Sequence, residues 1–234
     1  MRTIGLLGGM SWESSAHYYR LINQETRRRL GGTHSAPSVM VSVDFAAIEA
    51  LQHAGDWVSL AGRMVDAAVQ AERGGAELLV LCTNTMHKLA DAMQQAISIA
   101  LLHIADPVGQ AIADQGLSRV GLLGTAFTME QPFLRERLER NHGLQVITPA
   151  PEDRASIHRI IYDELVRGIV TDESRALYRA VMARLADSGA QAIILGCTEI
   201  MLLVDQADSP VPLFDTTTLH ALAAVEAALA EGPS

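Results

Sequence analysis

The chain has little of several things. It contains two cysteines and a single lysine, aromatic residues make up 4% of its 234 positions, and acidic side chains outnumber basic ones to give a net charge of −9. No apolar run approaches the ~18 residues of a membrane span. Each shortage excludes something. Without a basic surplus or an aromatic stacking platform, a nucleic-acid or anionic-membrane partner is not expected. Two cysteines cannot build a disulfide framework, and Cys82 with His87 is a lone pairing without the clustered ligands of a metal site. A pyridoxal Schiff base would have to use Lys88, near which no phosphate cradle is visible. The Gly5–Gly9 stretch lacks G-x-G-x-x-G, and no P-loop exists, so nucleotide binding is not expected either. Met1-Arg2-Thr3 runs straight into a strand with no secretory signal, which points to the cytoplasm and to reduced thiols.

What is present is a succession of apolar runs closed by glycine and hydroxyl residues, alternating with helical periodicity. Strands are expected at 3–7, 39–45, 78–82 and 101–105, and again at 119–125, 144–147, 192–195 and 211–214. Helices are expected at 13–29, 46–53, 56–73, 87–96 and from 106. They resume from Thr128 to about 142, over 153–167 and 172–188, and in a tail from Thr217. The spacing of Thr128 and Gln131 reads as a capping box. The Arg27-Arg28-Arg29 run reads as a solvated helix end favoured by the dipole.

The pattern is said twice. Arg119-Val120-Gly121-Leu122-Leu123-Gly124-Thr125 repeats Thr3-Ile4-Gly5-Leu6-Leu7-Gly8-Gly9 at an offset of 116 residues. The expected fold class is α/β, with two pseudo-symmetric lobes, each a four-stranded parallel sheet flanked by helices, and an active site between them. Residues 1–105 form the first lobe, residues 106–216 the second, and helix 217–234 packs back on the first.

In parallel sheets ligands gather at the carboxyl ends of strands. Two such ends stand out, Cys82-Thr83-Asn84-Thr85 and Gly196-Cys197-Thr198-Glu199. The third strands align at an offset of 114, which matches Cys197 to Thr83 rather than to Cys82. A one-residue shift turns a strand side chain to the other face, so Cys82 is expected to point away from the pocket. Cys197 reads either as a small buried filler or as an acid–base group. His142, His158 and His220 have no diagnostic spacing to it. Met10 follows the glycine pair at the first strand's end and is either core or pocket. Gln52 is either pocket or the surface of a short helix.

The segments Ile4–Glu13, Cys82–Lys88, Leu123–Glu130 and Gly196–Ile200 together resemble the aspartate/glutamate racemase family, over most of the chain. The likeness is nearest to the L-aspartate/glutamate-specific or broad-specificity subgroup. It implies an isomerase that needs no cofactor and no metal and works as a cytoplasmic homodimer on a small amino acid. It also implies Thr83 and Cys197 as catalytic groups, with Met10, Gln52, Asn84, Thr85, Thr125 and Thr198 around the substrate. Most of the family has cysteine where this chain has Thr83. A related decarboxylase or isomerase of small dicarboxylic acids, and a non-catalytic binder of acidic metabolites, are the competing readings.

Overall fold

The computed structural model describes residues 1–230. The chain divides into two compact units, Met1–His103 with the chain from His220 onward, and Ile104–Leu219. The last four residues of the expected 217–234 helix lie outside the described residues.

The first unit holds β1 (Ile4–Gly8), β2 (Ser38–Ser42), β3 (Leu78–Leu81) and β4 (Ala100–Leu102), all parallel in the order β2-β1-β3-β4. β1 and β3 are the inner strands and are buried at every position, which is why they read as unbroken apolar runs. β2 lies at the edge and no position of it is fully buried. The strand side chains alternate strictly. Leu7, Leu79 and Leu81 pack with α3 (Trp57–Arg73) through Leu60, Met64 and Ala68. Ile4, Leu6, Leu78 and Val80 take the other face, with Tyr18 and Ile22 of α1 (Trp12–Leu30) and with Ala221, Ala224, Val225 and Ala228 of the C-terminal helix. The unit also contains α2 (Phe45–His53) and α4 (Ala90–Ala96).

The second unit repeats the plan. It contains α5 (Ala105–Asp114), β5 (Arg119–Gly124), α6 (Ala126–Glu130), α7 (Pro132–His142), β6 (Gln145–Ile147), α8 (Pro151–Asp163), α9 (Asp172–Asp187), β7 (Ala192–Gly196), α10 (Ile200–Leu203) and β8 (Leu213–Asp215). Its sheet is parallel in the order β6-β5-β7-β8. Leu123, Ile193 and Leu195 pack with α8 and α9, whereas Val120, Leu122, Ala192 and Ile194 pack with α5 and α7. The last helix, α11 (Thr216–Leu229), starts in this unit and continues into the first.

Several expectations change. The second strand ends at Ser42, and Phe45 opens α2 instead of closing the strand. The helix from Thr128 is in fact two helices, because Pro132 cannot donate into a continuous ladder and Gln131 is extended. The cap is Thr125, whose Oγ1 accepts the Thr128 N–H, so Thr128 lies inside α6 and makes no capping box. The arginine run is exposed in the last turn of α1, as expected, and two of its members also find a partner. Arg28 and Arg29 both donate to the buried Glu25 carboxylate, and the Arg28 hydrogen bonds are the main reason its carboxyl is held down at about 2.

The turn leaving β1 depends on a glycine. Gly9 has φ +95°, and a Cβ there would lie 2.2 Å from the Val43 carbonyl oxygen. Gly9→Ala combines this clash with a strained backbone and is expected to destabilise the protein by roughly 3 kcal/mol in urea unfolding. A loss near zero would mean that the β1 turn is not held against β2.

Candidate active site

In the first unit the strand ends converge on β1, α2 and β3. The β1 turn is stitched by Ser15, whose Oγ accepts the Gly9 N–H at 2.8 Å and donates to the Ser11 carbonyl at 2.9 Å. Ser11 caps α1 by accepting the Ser14 N–H at 3.3 Å. Met10, between them, is buried with Leu7, Ile48 and Leu81 in one core cluster. Gln52 of α2 is buried too, and its Nε2 has no hydrogen-bond partner among the described residues. A buried amide donor left open is a group that awaits an acceptor.

After β3 the chain passes Cys82 and Thr83 into a single 3-10 turn, Thr85–Leu89. Asn84 and Thr85 are buried and Thr83 is half-buried. Cys82 continues the row of Leu78 and Val80 and packs with them in the core beside Tyr18. Burial pushes its thiol far above the usual range. A thiol there has neither access nor a stabilised anion. Lys88 is exposed, and its ammonium lies 3.6 Å from the centre of the Trp57 ring.

The second unit carries the better-defined chemistry. Cys197 continues the row of Ile193 and Leu195, and it is nearly buried. Its thiol donates to Glu199 Oε2 at 3.1 Å, and the Thr198 hydroxyl donates to the same oxygen at 2.6 Å. Burial, and after it the Glu199 carboxylate, push the Cys197 thiol well above its usual pKa. Thr125 follows Gly124, which is the register partner of Gly196, so Thr125 stands at the strand end next to Cys197. It is buried at the cap of α6. Thr216 Oγ1 donates to the Leu195 carbonyl at 2.9 Å and ties the end of β7 to α11.

Within each sheet the registers make the two ends equivalent. Leu7 pairs with Leu81, and Leu123 with Leu195. Two residues beyond each lie Thr83 and Cys197. The structure thus groups Met10 and Gln52 on the elements flanking β1, Thr83, Asn84 and Thr85 on the β3 turn, and Thr125, Cys197 and Thr198 on β5 and β7. Sequence reasoning did not single out the Glu199 side chain as the thiol's partner. The signal was present, since a carboxylate two residues beyond a cysteine can fold back onto it where the strand breaks into a turn. Among the described residues no group of three His, Cys, Asp or Glu side chains is arranged for a metal, and no helix is long and apolar enough to cross a membrane.

The thiol–carboxylate contact has a measurable sign. Neutralising Glu199 removes a negative charge that opposes thiolate formation, so Glu199→Gln is expected to lower the Cys197 pKa. Iodoacetamide alkylation of Cys197, followed against pH by peptide mass spectrometry, should reach its midpoint at lower pH in the variant. A midpoint that stays or rises would show that the carboxylate does not govern the sulfur.

The family model described as Asp/Glu/Hydantoin racemase matches residues 7–224. The broad specificity amino-acid racemase RacX of Bacillus subtilis (strain 168) is 24% identical over 240 residues, covering 97% of this chain and 98% of that protein. A crystal structure from Yersinia pestis, of a protein provisionally named an Asp/Glu racemase, superposes with a TM-score of 0.93 at 52% identity, covering 98% of this chain and 100% of that one. An aspartate racemase homologue from Pyrococcus horikoshii OT3 gives 0.84 at 31% identity, covering 97% and 99%. With a matched span that includes β3, β7 and every candidate residue, the chain belongs to the Asp/Glu/Hydantoin racemase family and is an enzyme of the racemase class.

Proposed function

We propose that this enzyme racemises an acidic amino acid, of the L-aspartate or L-glutamate type, without a cofactor, using Cys197 and Thr83 as a two-sided acid–base pair. The observation that carries the reading is the Cys197 thiol on Glu199 Oε2 at the end of β7, with Thr83 at the register-equivalent place after β3. A sulfur that shares its proton with a carboxylate has a built-in acceptor for that proton. In the first step the α C–H bond breaks. The resting Cys197 thiol first gives its proton to Glu199; the α-proton then goes to the thiolate so formed, and the electron pair stays on the α-carbon, delocalised into the carboxylate. In the second step a C–H bond forms on the opposite face with a proton from the Thr83 hydroxyl, which recovers one from water. Cys197 keeps the proton taken from the substrate, and Glu199 releases the proton it received to solvent, which restores the thiol and carboxylate of the starting state.

Two such proton transfers contribute roughly 10²–10⁴-fold each. The remainder falls to donors around the developing carbanion. Asn84, Thr85, Thr125 and Thr198 are short polar side chains at these strand ends, and the open Nε2 of Gln52 supplies a further N–H. Met10 closes the apolar side. The substitution of threonine for a second thiol makes the two faces unequal, because an alcohol is a far weaker base than a thiol.

An equilibrium constant of one forces kcat/KM to be equal in the two directions of a racemase, so the inequality is sought in isotope exchange. In D₂O with L- and D-aspartate and glutamate, the wild type is expected to incorporate deuterium at the α-carbon. Cys197→Ser should abolish exchange of the L-isomer. Thr83→Ala should leave part of it intact while racemisation stops. Exchange lost in Thr83→Ala but kept in Cys197→Ser would reverse the assignment. Release of CO₂ from malonates would indicate a decarboxylase, and thermal stabilisation by acidic amino acids without exchange would indicate a binder.

A further inference from the structure

Behind the Thr83 turn lies a buried cluster that the proposed chemistry does not use. His87, His103 and His220 are all buried, and their rings meet edge to face, with centroids 4.6 Å apart for His87 and His103 and 5.6 Å for His87 and His220. They come from three places: the 3-10 turn after β3, the end of β4, and α11. Tyr18 of α1 joins them, its hydroxyl 3.0 Å from His220 Nδ1.

The hydrogen bonds settle most of the protons. His220 Nε2 lies 2.9 Å from the Leu102 carbonyl, which can only accept, so Nε2 carries the hydrogen. In a neutral ring Nδ1 then accepts from Tyr18. His87 Nδ1 lies 2.7 Å from the Thr83 carbonyl, so this nitrogen donates. Burial, and after it the neighbouring His103 and His220, push His87 well below its usual pKa. Its Nδ1 hydrogen is committed to Thr83, and the ring also bonds the Leu102 carbonyl.

We propose that His87 is a positioning residue for Thr83, bonded to its carbonyl and packed in place by His103 and by the His220–Tyr18 pair. This rests on the reading of Thr83 as the weaker of two acid–base groups. A weak group depends most on placement, since a misplacement of about 1 Å can lower a rate about 100-fold. The bond from His87 ties the residue that bears the hydroxyl to the turn that follows it. The cluster anchors that turn in turn to α1, β4 and α11. A merely structural cluster would support both faces of the reaction alike. A positioning cluster acts on one face alone.

The test uses the full-length enzyme with His87→Leu, which keeps bulk and removes the donor, and His87→Asn, whose amide N–H falls near the place of Nδ1. With Leu, racemisation and α-exchange of D-aspartate are expected to fall about 100-fold, while exchange of L-aspartate falls less than threefold. Asn should recover most of the loss, and His87→Leu should add nothing further in a Thr83→Ala background. An equal loss from both isomers, no loss, or a full additional loss without Thr83 would overturn the proposal. If the Leu variant does not fold, imidazole ¹⁵N spectra of the wild type at pH 7.5 decide. A neutral His87 with its proton on Nδ1 supports the assignment, and a proton on Nε2 overturns it. Absence of exchange in the wild type would sink the racemase reading instead, while the ¹⁵N spectra would still test the cluster.

Discussion

One carboxylate oxygen governs the chemistry of the second unit. Glu199 Oε2 accepts both the Cys197 thiol and the Thr198 hydroxyl. In a nearly dry site this contact has two opposite effects. Hydrogen bonding orients the sulfur and gives its proton a destination. The carboxylate's charge, added to burial, opposes a free thiolate. The outcome is a sulfur that holds its proton at rest and shares it with a defined partner. A bound ammonium group would reverse the electrostatic half of that balance, because a cation beside the pair favours the thiolate.

The surrounding fold exists to place that contact. Inner strands buried on both faces leave only their carboxyl ends open, and the β7 end is fixed by the Thr216 bond to the Leu195 carbonyl. The first unit uses the same frame at the β3 end but carries different cargo. Thr85, not a carboxylate, stands at the place equivalent to Glu199, and the His87 bond holds the Thr83 carbonyl. One unit stabilises a proton's destination and the other stabilises a position.

Much of this was legible in the sequence because the repeat is punctuated by local signals. The apolar runs of Ile4–Gly8 and Arg119–Gly124, the glycine pair after the first, and the hydroxyl residues after Leu81 and Leu195 each lie within a few residues of the strand they end. The offsets of 116 and 114 residues identified the equivalence of Thr83 and Cys197 before any coordinate. What escaped was long-range or conformational. Tyr18 and His220 are 202 positions apart, and no spacing rule connects them with His87. The break at Gln131 depended on Pro132 outweighing a helical pattern that otherwise continued. The Glu199 side chain was inside a recognised motif, yet only the turn after β7 shows that it folds back onto the sulfur.

The two thiols show how little separates an inert residue from a candidate base. Cys82 and Cys197 both follow a buried parallel strand, and burial raises the pKa of both thiols. Cys82 is one residue beyond Leu81, on the parity of Leu78 and Val80, so it faces the core that α1 and α11 cover. Cys197 is two residues beyond Leu195, on the parity of Ile193 and Leu195, and it reaches the turn where Glu199 waits. Strand alternation turns one sulfur into the core and the other toward the turn that holds Glu199. Composition counts them as equals; it is the register inherited from the duplicated sheet that makes them different. The same parity places Thr83 at the equivalent position of the first sheet.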